Sequence, residues 1–439
     1  MTVPQSPPRP LPLSPARPVT RTLILGLNFA PEPISTAPYT TRLASYLARH
    51  GHSVHVVTAT PYFPAWARPT GWPRARYVTR TPAANLRVTH CPHYIPRRPT
   101  GLRRLVHQAS FALTAAPVMI AQALRHPPDR VVVIAPALVS APLGWLAARL
   151  AGAPAWLHLQ DLELDAARAT GLIGPAPLAT RIERWVLRRF DRVSTISTQM
   201  CARVAAKGVA PHRIQELRNW AEPMPLPTTA QMTALRRALG ITTPHVLLYS
   251  GALGRKQGLE AIPDLAHRLR HRRDLTLLIC GDGPMRSMLE QAARDHPNLR
   301  VAPLQPRDRL GALLGLATVH LLPQIADAAD LVLPSKLTNM LASGRPVLAT
   351  AAPGTALAAE VAGCGVVVPP GDTTALVVEL DLLLQDPDRR ATLGSAGRRA
   401  ARDRWHADTI LARWHEELGR LTRRNAQYRA SENASATTP

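Results

Sequence analysis

His245-Val-Leu-Leu-Tyr-Ser-Gly-Ala-Leu-Gly-Arg-Lys-Gln-Gly, residues 245–258, is the stretch on which the fold turns. An apolar run of strand length stops at Gly251, a short glycine-bearing turn follows, and a helical pattern runs over 258–273. That order is one half of a βαβ unit. A turn of this kind aims backbone N–H groups and the positive end of a helix at an anion, and Arg255 and Lys256 add formal charge there. The spacing matches neither G-x-G-x-x-G nor G-x-x-x-x-G-K-[ST], so a dinucleotide fingerprint and a P-loop are both unsupported. A plain βα turn with two solvated cations remains an equal reading of this stretch by itself.

Outward from it, the same alternation fills the chain. Strands are expected at 275–283, 299–304, 318–324, 346–350 and 365–371 on one side, and at 22–29, 51–60, 130–135, 154–161 and 192–197 on the other. Helical patterns lie between them, and a last helix is expected over 398–421. Strands interleaved with helices mean parallel sheets, and the pattern restarts near Asn219. The expected architecture is α/β, with two doubly wound Rossmann-like domains facing a central cleft. The boundaries are a Pro-rich leader at 1–21, a first domain at 22–217, a second at 218–422 whose final helix returns to the first, and a disordered tail at 423–439. In such sheets ligands bind outside the carboxyl ends of the strands.

A second cation-bearing turn is Leu333-Pro-Ser-Lys-Leu-Thr-Asn-Met, in which Pro334 and Ser335 open a helix carrying Lys336 and Asn339 near its first turn. A lysine there opposes the helix dipole unless an anion is its neighbour. The chain has 439 residues and 53 basic side chains, of which only Lys207, Lys256 and Lys336 are lysines. Two of those three sit at turns suited to phosphate, in a background otherwise made of arginine.

The formal charge of +24 permits anionic partners. Nucleic acid is disfavoured: aromatic residues are 4%, no helix-turn-helix, RNP or zinc signature is present, and the arginines are spread along the chain. Cys91, Cys201, Cys280 and Cys364 lie far apart, which implies neither a zinc site nor a disulfide scaffold and suits a cytoplasmic setting. Residues 105–124 carry no formal charge and follow Arg97, Arg98, Arg103 and Arg104. They read as a helix of a soluble domain, with an interfacial helix on anionic lipid as the second reading.

The order of motifs resembles the retaining GT-B glycosyltransferases of family 4, and within them the colanic-acid-type exopolysaccharide enzymes. The carriers are residues 28–66, 157–167 (LHLQDLELDAA), 218–220 (RNW), 249–260 (YSGALGRKQGLE), 281–284 (GDGP), 333–350 and 363–372. The resemblance implies a nucleotide-sugar donor held by the second domain through Gly251, Arg255, Lys256, Ser335, Lys336 and Asn339. It implies Glu32, His158 and Asp161 as catalytic groups at the first domain's strand ends, where a carboxylate or imidazole orients or deprotonates the acceptor hydroxyl. Ser35, Thr36 and Glu163 join them on the acceptor side. From the residues alone, Asp161 equally suits a helix N-cap and His158 a hydrogen-bonded core position.

Two departures stand out. Family members commonly carry a Glu-x7-Glu pattern where this chain has Leu331 and Asn339, and a paired-glycine loop where it reads Pro33-Ile-Ser-Thr-Ala-Pro-Tyr. Fixed cations and helix ends stabilise a departing nucleoside diphosphate without a metal, and the one Asp-x-Asp, Asp386-Pro-Asp388, reads as a helix start. The expectation is therefore no metal and no cofactor, a lipid-linked oligosaccharide acceptor, and peripheral contact with the inner face of the cell membrane. Alternatives are another GT-B enzyme, such as a nucleotide-sugar epimerase or sugar-phosphate synthase, and a catalytically lapsed nucleotide-sugar binder.

Overall fold

The computed structural model describes residues 19–33, 35–135, 138–165, 177–221, 227–254, 257–325 and 336–421. The first part holds strands β1 (Thr20–Gly26), β2 (His52–Ala59), β3 (Val78–Ala83), β4 (Leu86–Cys91), β5 (Arg130–Ala135), β6 (Ala155–Leu159), β7 (Arg192–Thr195) and β8 (Ile214–Glu216). Its helices are α1 (Ala37–Arg49), α2 (Gly101–Arg125), α3 (Ala141–Leu150), α4 (Pro177–Arg188) and α5 (Thr198–Ala206). The second part holds β9 (His245–Ser250), β10 (Leu275–Cys280), β11 (Leu299–Ala302), β12 (Val319–Leu322), β13 (Val347–Thr350) and β14 (Gly365–Val368). Its helices are α6 (Thr229–Ala238), α7 (Ile262–Arg268), α8 (Arg286–Asp295), α9 (Leu310–Leu316), α10 (Lys336–Ala342), α11 (Ala356–Val361), α12 (Thr373–Gln385), α13 (Pro387–Trp405) and α14 (Ala407–Arg420).

The eight-stranded sheet runs β3-β4-β2-β1-β5-β6-β7-β8 and the six-stranded sheet β11-β10-β9-β12-β13-β14. Every pairing is parallel except β3 against β4. Strand order reverses between β1 and β5 and again between β9 and β12, so each sheet has a switch point where a crevice opens beyond the carboxyl ends. The central strands β5, β6, β10 and β12 are buried at every position, as expected of sheets covered on both faces.

Two sequence expectations are corrected, and one further element appears. The antiparallel hairpin β3–β4 was not anticipated, because residues 78–83 are mostly exposed and polar. The leader does not reach residue 21, since β1 already begins at Thr20. The single last helix over 398–421 is two helices, broken at His406, whose backbone is extended (φ −68°, ψ 124°). The break turns α14 onto the first sheet, where Ile410, Leu411, Trp414 and Leu418 pack with Ile24, Leu43 and Trp156. Asp386 caps α13 by accepting the Arg389 N–H at 2.8 Å, with Pro387 as the next residue, which is the helix start read from Asp386-Pro-Asp388.

Candidate active site

On the second-domain side the site is built around Gly251, which ends β9 at the switch point. Gly251 has φ +146°, and its amide donates to the Cys280 carbonyl at 2.9 Å. A Cβ on Gly281 would lie 1.9 Å from the Gly251 carbonyl oxygen, and one on Gly283 (φ +149°) 2.6 Å from that of Leu253. The turns after β9 and β10 are thus packed backbone against backbone, which only glycine permits.

Lys336, the first residue of α10, reaches back to this turn. Its Nζ donates to the Tyr249 hydroxyl at 2.6 Å and to Gln257 Oε1 at 2.9 Å, and stands 4.2 Å from the centre of the Tyr249 ring. Tyr249 in turn donates to the Ala252 carbonyl at 2.6 Å. The ammonium is therefore held beneath the glycine turn by the Tyr249 hydroxyl and the Gln257 amide oxygen. Asn339 follows three residues later on the same helix, hence on the same face. Arg255, Lys256 and Ser335 lie outside the described residues. Tyr249 and Gln257 were not singled out from sequence. Both lie inside the motif 249–258, yet nothing in the spacing says that they clasp Lys336.

On the first-domain side, Glu32 sits in the loop after β1 and is buried. Oε1 accepts the backbone N–H groups of Tyr62 and Phe63 at 2.9 and 2.8 Å, and Oε2 accepts from Asn28 Nδ2 at 2.8 Å. Burial pushes its pKa up, and those hydrogen bonds pull against the shift. These bonds make Glu32 a clamp on the loop after β2. That loop carries Tyr62 and Trp66, which pack against each other and against His107 at ring distances of 4.5–5.3 Å, with Arg104 over Trp66.

His158 occupies the hydrogen-bonded core position that was its alternative reading. Its ring is buried, and burial pushes its pKa down to about 3. Gln160 Nε2 faces Nε2 at 2.9 Å, so the ring proton sits on Nδ1, which donates to Ser194 Oγ at 2.8 Å. Gln160 also exchanges two amide hydrogen bonds with Asn219, at 3.0 and 2.7 Å, tying β6 to the interdomain connection. Beside it, Arg218 pairs with Glu216 of the first domain and Glu360 of the second.

Ser35 is exposed at φ +65°, a left-handed conformation that glycine adopts without steric cost. Thr36 is buried at the N-cap of α1 without a side-chain cap bond. Asp161 and Glu163 follow β6. Glu163 is pushed up to about 7, first by burial and then by the Asp161 charge, while Gln108 Nε2 donates to it at 3.2 Å. The Tyr62 hydroxyl feels the charges of Glu32, Glu163 and Arg104, so the loops after β1, β2 and β6 converge there.

A carboxyl raised toward neutral pH by its surroundings is suited to proton transfer at an acceptor hydroxyl. A carboxyl raised from 4.5 to about 7 stabilises the fold below pH 4.5 and loses that contribution as pH rises through 7. Glu163→Gln is accordingly expected to match wild type in urea at pH 5 and to exceed it by about 2 kcal/mol at pH 8. An equal difference at both pH values would contradict the assignment.

Residues 36–220 match the family described as "Glycosyl transferase 4-like domain" and residues 231–400 that described as "Glycosyl transferases group 1". The chain is 40% identical over 340 residues to the putative colanic acid biosynthesis glycosyl transferase WcaI of Escherichia coli (strain K12), covering 75% of this chain and 83% of that protein. In structure it is similar to sucrose-phosphate synthase from Thermosynechococcus elongatus, with TM-score 0.69 and 15% identity over 92% of this chain and 99% of that one. It is also similar to Anabaena HepE in complex with UDP and glucose, with TM-score 0.65 and 16% identity over 91% and 100%. The paired doubly wound sheets, the glycine turn with its buried-side lysine, and these matches place the chain in the group 1 (family 4) glycosyltransferases of GT-B fold.

Proposed function

We propose that the protein transfers a sugar from a nucleotide-sugar to a hydroxyl of a lipid-linked polysaccharide precursor at the inner face of the cell membrane, without a metal and with retention of configuration. The observation that carries the donor half is Lys336 Nζ, 2.6 Å from the Tyr249 hydroxyl under the Gly251 turn. A cation held there before substrate arrives stabilises the charge that grows on the departing diphosphate. Arg255, Lys256, Ser335 and Asn339 complete the donor side in this reading. Asp161 and Glu163, with Ser35 and Thr36, face the acceptor, and Glu163, titrating near 7, orients or accepts the proton of its hydroxyl. Retention and metal independence rest on the family resemblance.

HepE holds UDP and glucose, so UDP-glucose heads a thermal-shift panel that also includes GDP- and ADP-sugars. A ligand that binds only the native state raises its midpoint. Absence of any shift in a cooperatively melting protein would contradict the donor assignment.

The membrane half is supported by a face made of three helices. Among the described residues no helix is long and apolar enough to cross a membrane. On α2, His107, Phe111, Ala115, Met119 and Ala123 face inward at four-residue spacing, while Leu102 and Leu113 are 73% and 75% exposed. On α4, Leu178, Ile182 and Trp185 are exposed, and Trp185 meets Trp145 of α3 under the Arg189 guanidinium. Residues 92–128 contain no Asp or Glu, and the acid of α4, Glu183, is buried against Lys207 at 2.5 Å. Exposed apolar side chains ringed by arginine fit an anionic lipid surface. Flotation with phosphatidylglycerol vesicles, lost in Leu102→Glu/Leu113→Glu with unchanged circular dichroism, is expected. Flotation equal with neutral phosphatidylcholine vesicles would contradict it.

A further inference from the structure

A cavity of about 490 Å³ opens on the second domain away from the donor turn, at the amino ends of the strands. It is lined by Arg236 of α6, His245 at the start of β9, Thr318 just before β12, Arg345 just before β13, and Arg390 in the first turns of α13. Strand β9 runs from His245 in this cavity to Ser250 beside Gly251, a span of roughly 17 Å. The two places cannot share one diphosphate.

Each guanidinium is anchored by backbone carbonyls. Arg345 donates to Gly315 O at 3.1 Å, Arg390 Nη1 to Leu383 O and Leu384 O at 2.5 and 2.7 Å, and Arg236 to Thr243 O. A guanidinium has five N–H donors, so most of theirs remain. Among the described residues none of the three is ion-paired with a carboxylate. Of the neighbouring acids, Asp274 is held by Arg272 at 2.9 Å and Asp386 accepts the Arg389 N–H at 2.8 Å, while Asp388 stands in the first turn of α13.

Arg345 is moreover pressed by like charge. Burial first, then Arg398 and Arg390, hold its pKa below the ordinary value. Arg398 stands next to it, donating to Ser343 O at 3.2 Å. Cations gathered in a partly buried pocket repel unless an anion joins them. The Thr318 hydroxyl, which accepts the Val246 N–H at 3.1 Å, keeps its own proton to donate.

The geometry points to a second anion site here, a pocket for a phosphate-bearing small molecule, separate from the nucleotide-sugar cleft. Forked guanidinium donors match phosphate oxygens in pairs, and the volume exceeds that of a lone phosphate, leaving room for an organic group or a second phosphate. A soluble phosphate ester and a phospholipid headgroup share this chemistry.

The test is isothermal titration of pyrophosphate into the full chain saturated with UDP, repeated on Lys336→Ala. Binding is expected to persist in both, because neither occupies nor alters the pocket. It is expected to weaken about tenfold or more in Arg345→Gln/Arg390→Gln and to stay unchanged in Arg87→Gln, an exposed arginine of the first domain. Should the double variant fail to fold, Arg236→Gln is expected to weaken pyrophosphate by about threefold. Retained flotation of the double variant on phosphatidylglycerol vesicles assigns the pocket to a soluble phosphate, and lost flotation to a headgroup. Absence of saturable pyrophosphate binding, or equal weakening by Arg87→Gln, overturns the site. The donor reading fails separately, through UDP binding that ignores Lys336→Ala.

Discussion

Lys336→Ala is expected to lower turnover with the nucleotide-sugar about 100-fold or more and to weaken UDP binding, with little change in melting temperature. The reasoning follows the partners of Nζ. The Tyr249 hydroxyl and Gln257 Oε1 accept from it at 2.6 and 2.9 Å and fix the ammonium under the Gly251 turn. It is preorganised for a developing anion, and removing one such donor from a transition-state site costs about 10²–10³ in rate. Stability is spared because Tyr249 keeps its bond to the Ala252 carbonyl at 2.6 Å. Lys336→Met, which keeps the apolar stem over the Tyr249 ring, separates packing from charge. Full activity in Lys336→Met would remove the lysine from the chemistry.

Gly281→Ala is expected to have the largest effect on the fold, a destabilisation of about 3 kcal/mol or more with loss of UDP binding. A Cβ at this position meets the Gly251 carbonyl oxygen at 1.9 Å and the Gly251 carbonyl carbon at 3.1 Å. Backbone cannot rotate aside as a flexible side chain can, so the cost lies at or beyond the upper end of ordinary overpacking. The displaced group is the donor turn itself, which moves relative to Lys336. Urea unfolding and UDP titration on the same preparation check both halves. Wild-type stability in Gly281→Ala would show that the two turns are not locked together. Gly254 is the control, because its nearest outside atom is 4.0 Å from a built Cβ.

The donor half was the more legible half. Lys336 and the Gly251 turn were visible because each combines a local signal, a glycine after an apolar run or a lysine opposing a helix dipole, with a rare residue type in an arginine background. The acceptor half was less so. Glu32 and His158 were readable as polar residues at strand ends, but a strand end serves equally to bind substrate and to fasten a loop. Their partners are far away in sequence: Tyr62 and Phe63 for Glu32, Ser194 and Gln160 for His158. Glu163 drew less weight than Asp161 from sequence, yet its environment shifts it to about 7. Burial by α2 and the neighbouring charge do that, and neither is a property of the local stretch.

Alternation of apolar runs with helical patterns, restarting near Asn219, was enough by itself to establish two parallel α/β sheets, because that pattern is local and repeats over hundreds of residues. The same holds for the glycine turns, whose backbone freedom is a property of the residue. Only the tertiary structure decided where α14 lies, which strand-end acids remain able to titrate, and that arginines from α6, the β13 entry and α13 meet in one pocket. Those outcomes depend on through-space distances of a few ångströms between residues up to almost 400 positions apart, and packing and electrostatic energies vary with that distance and not with separation along the chain.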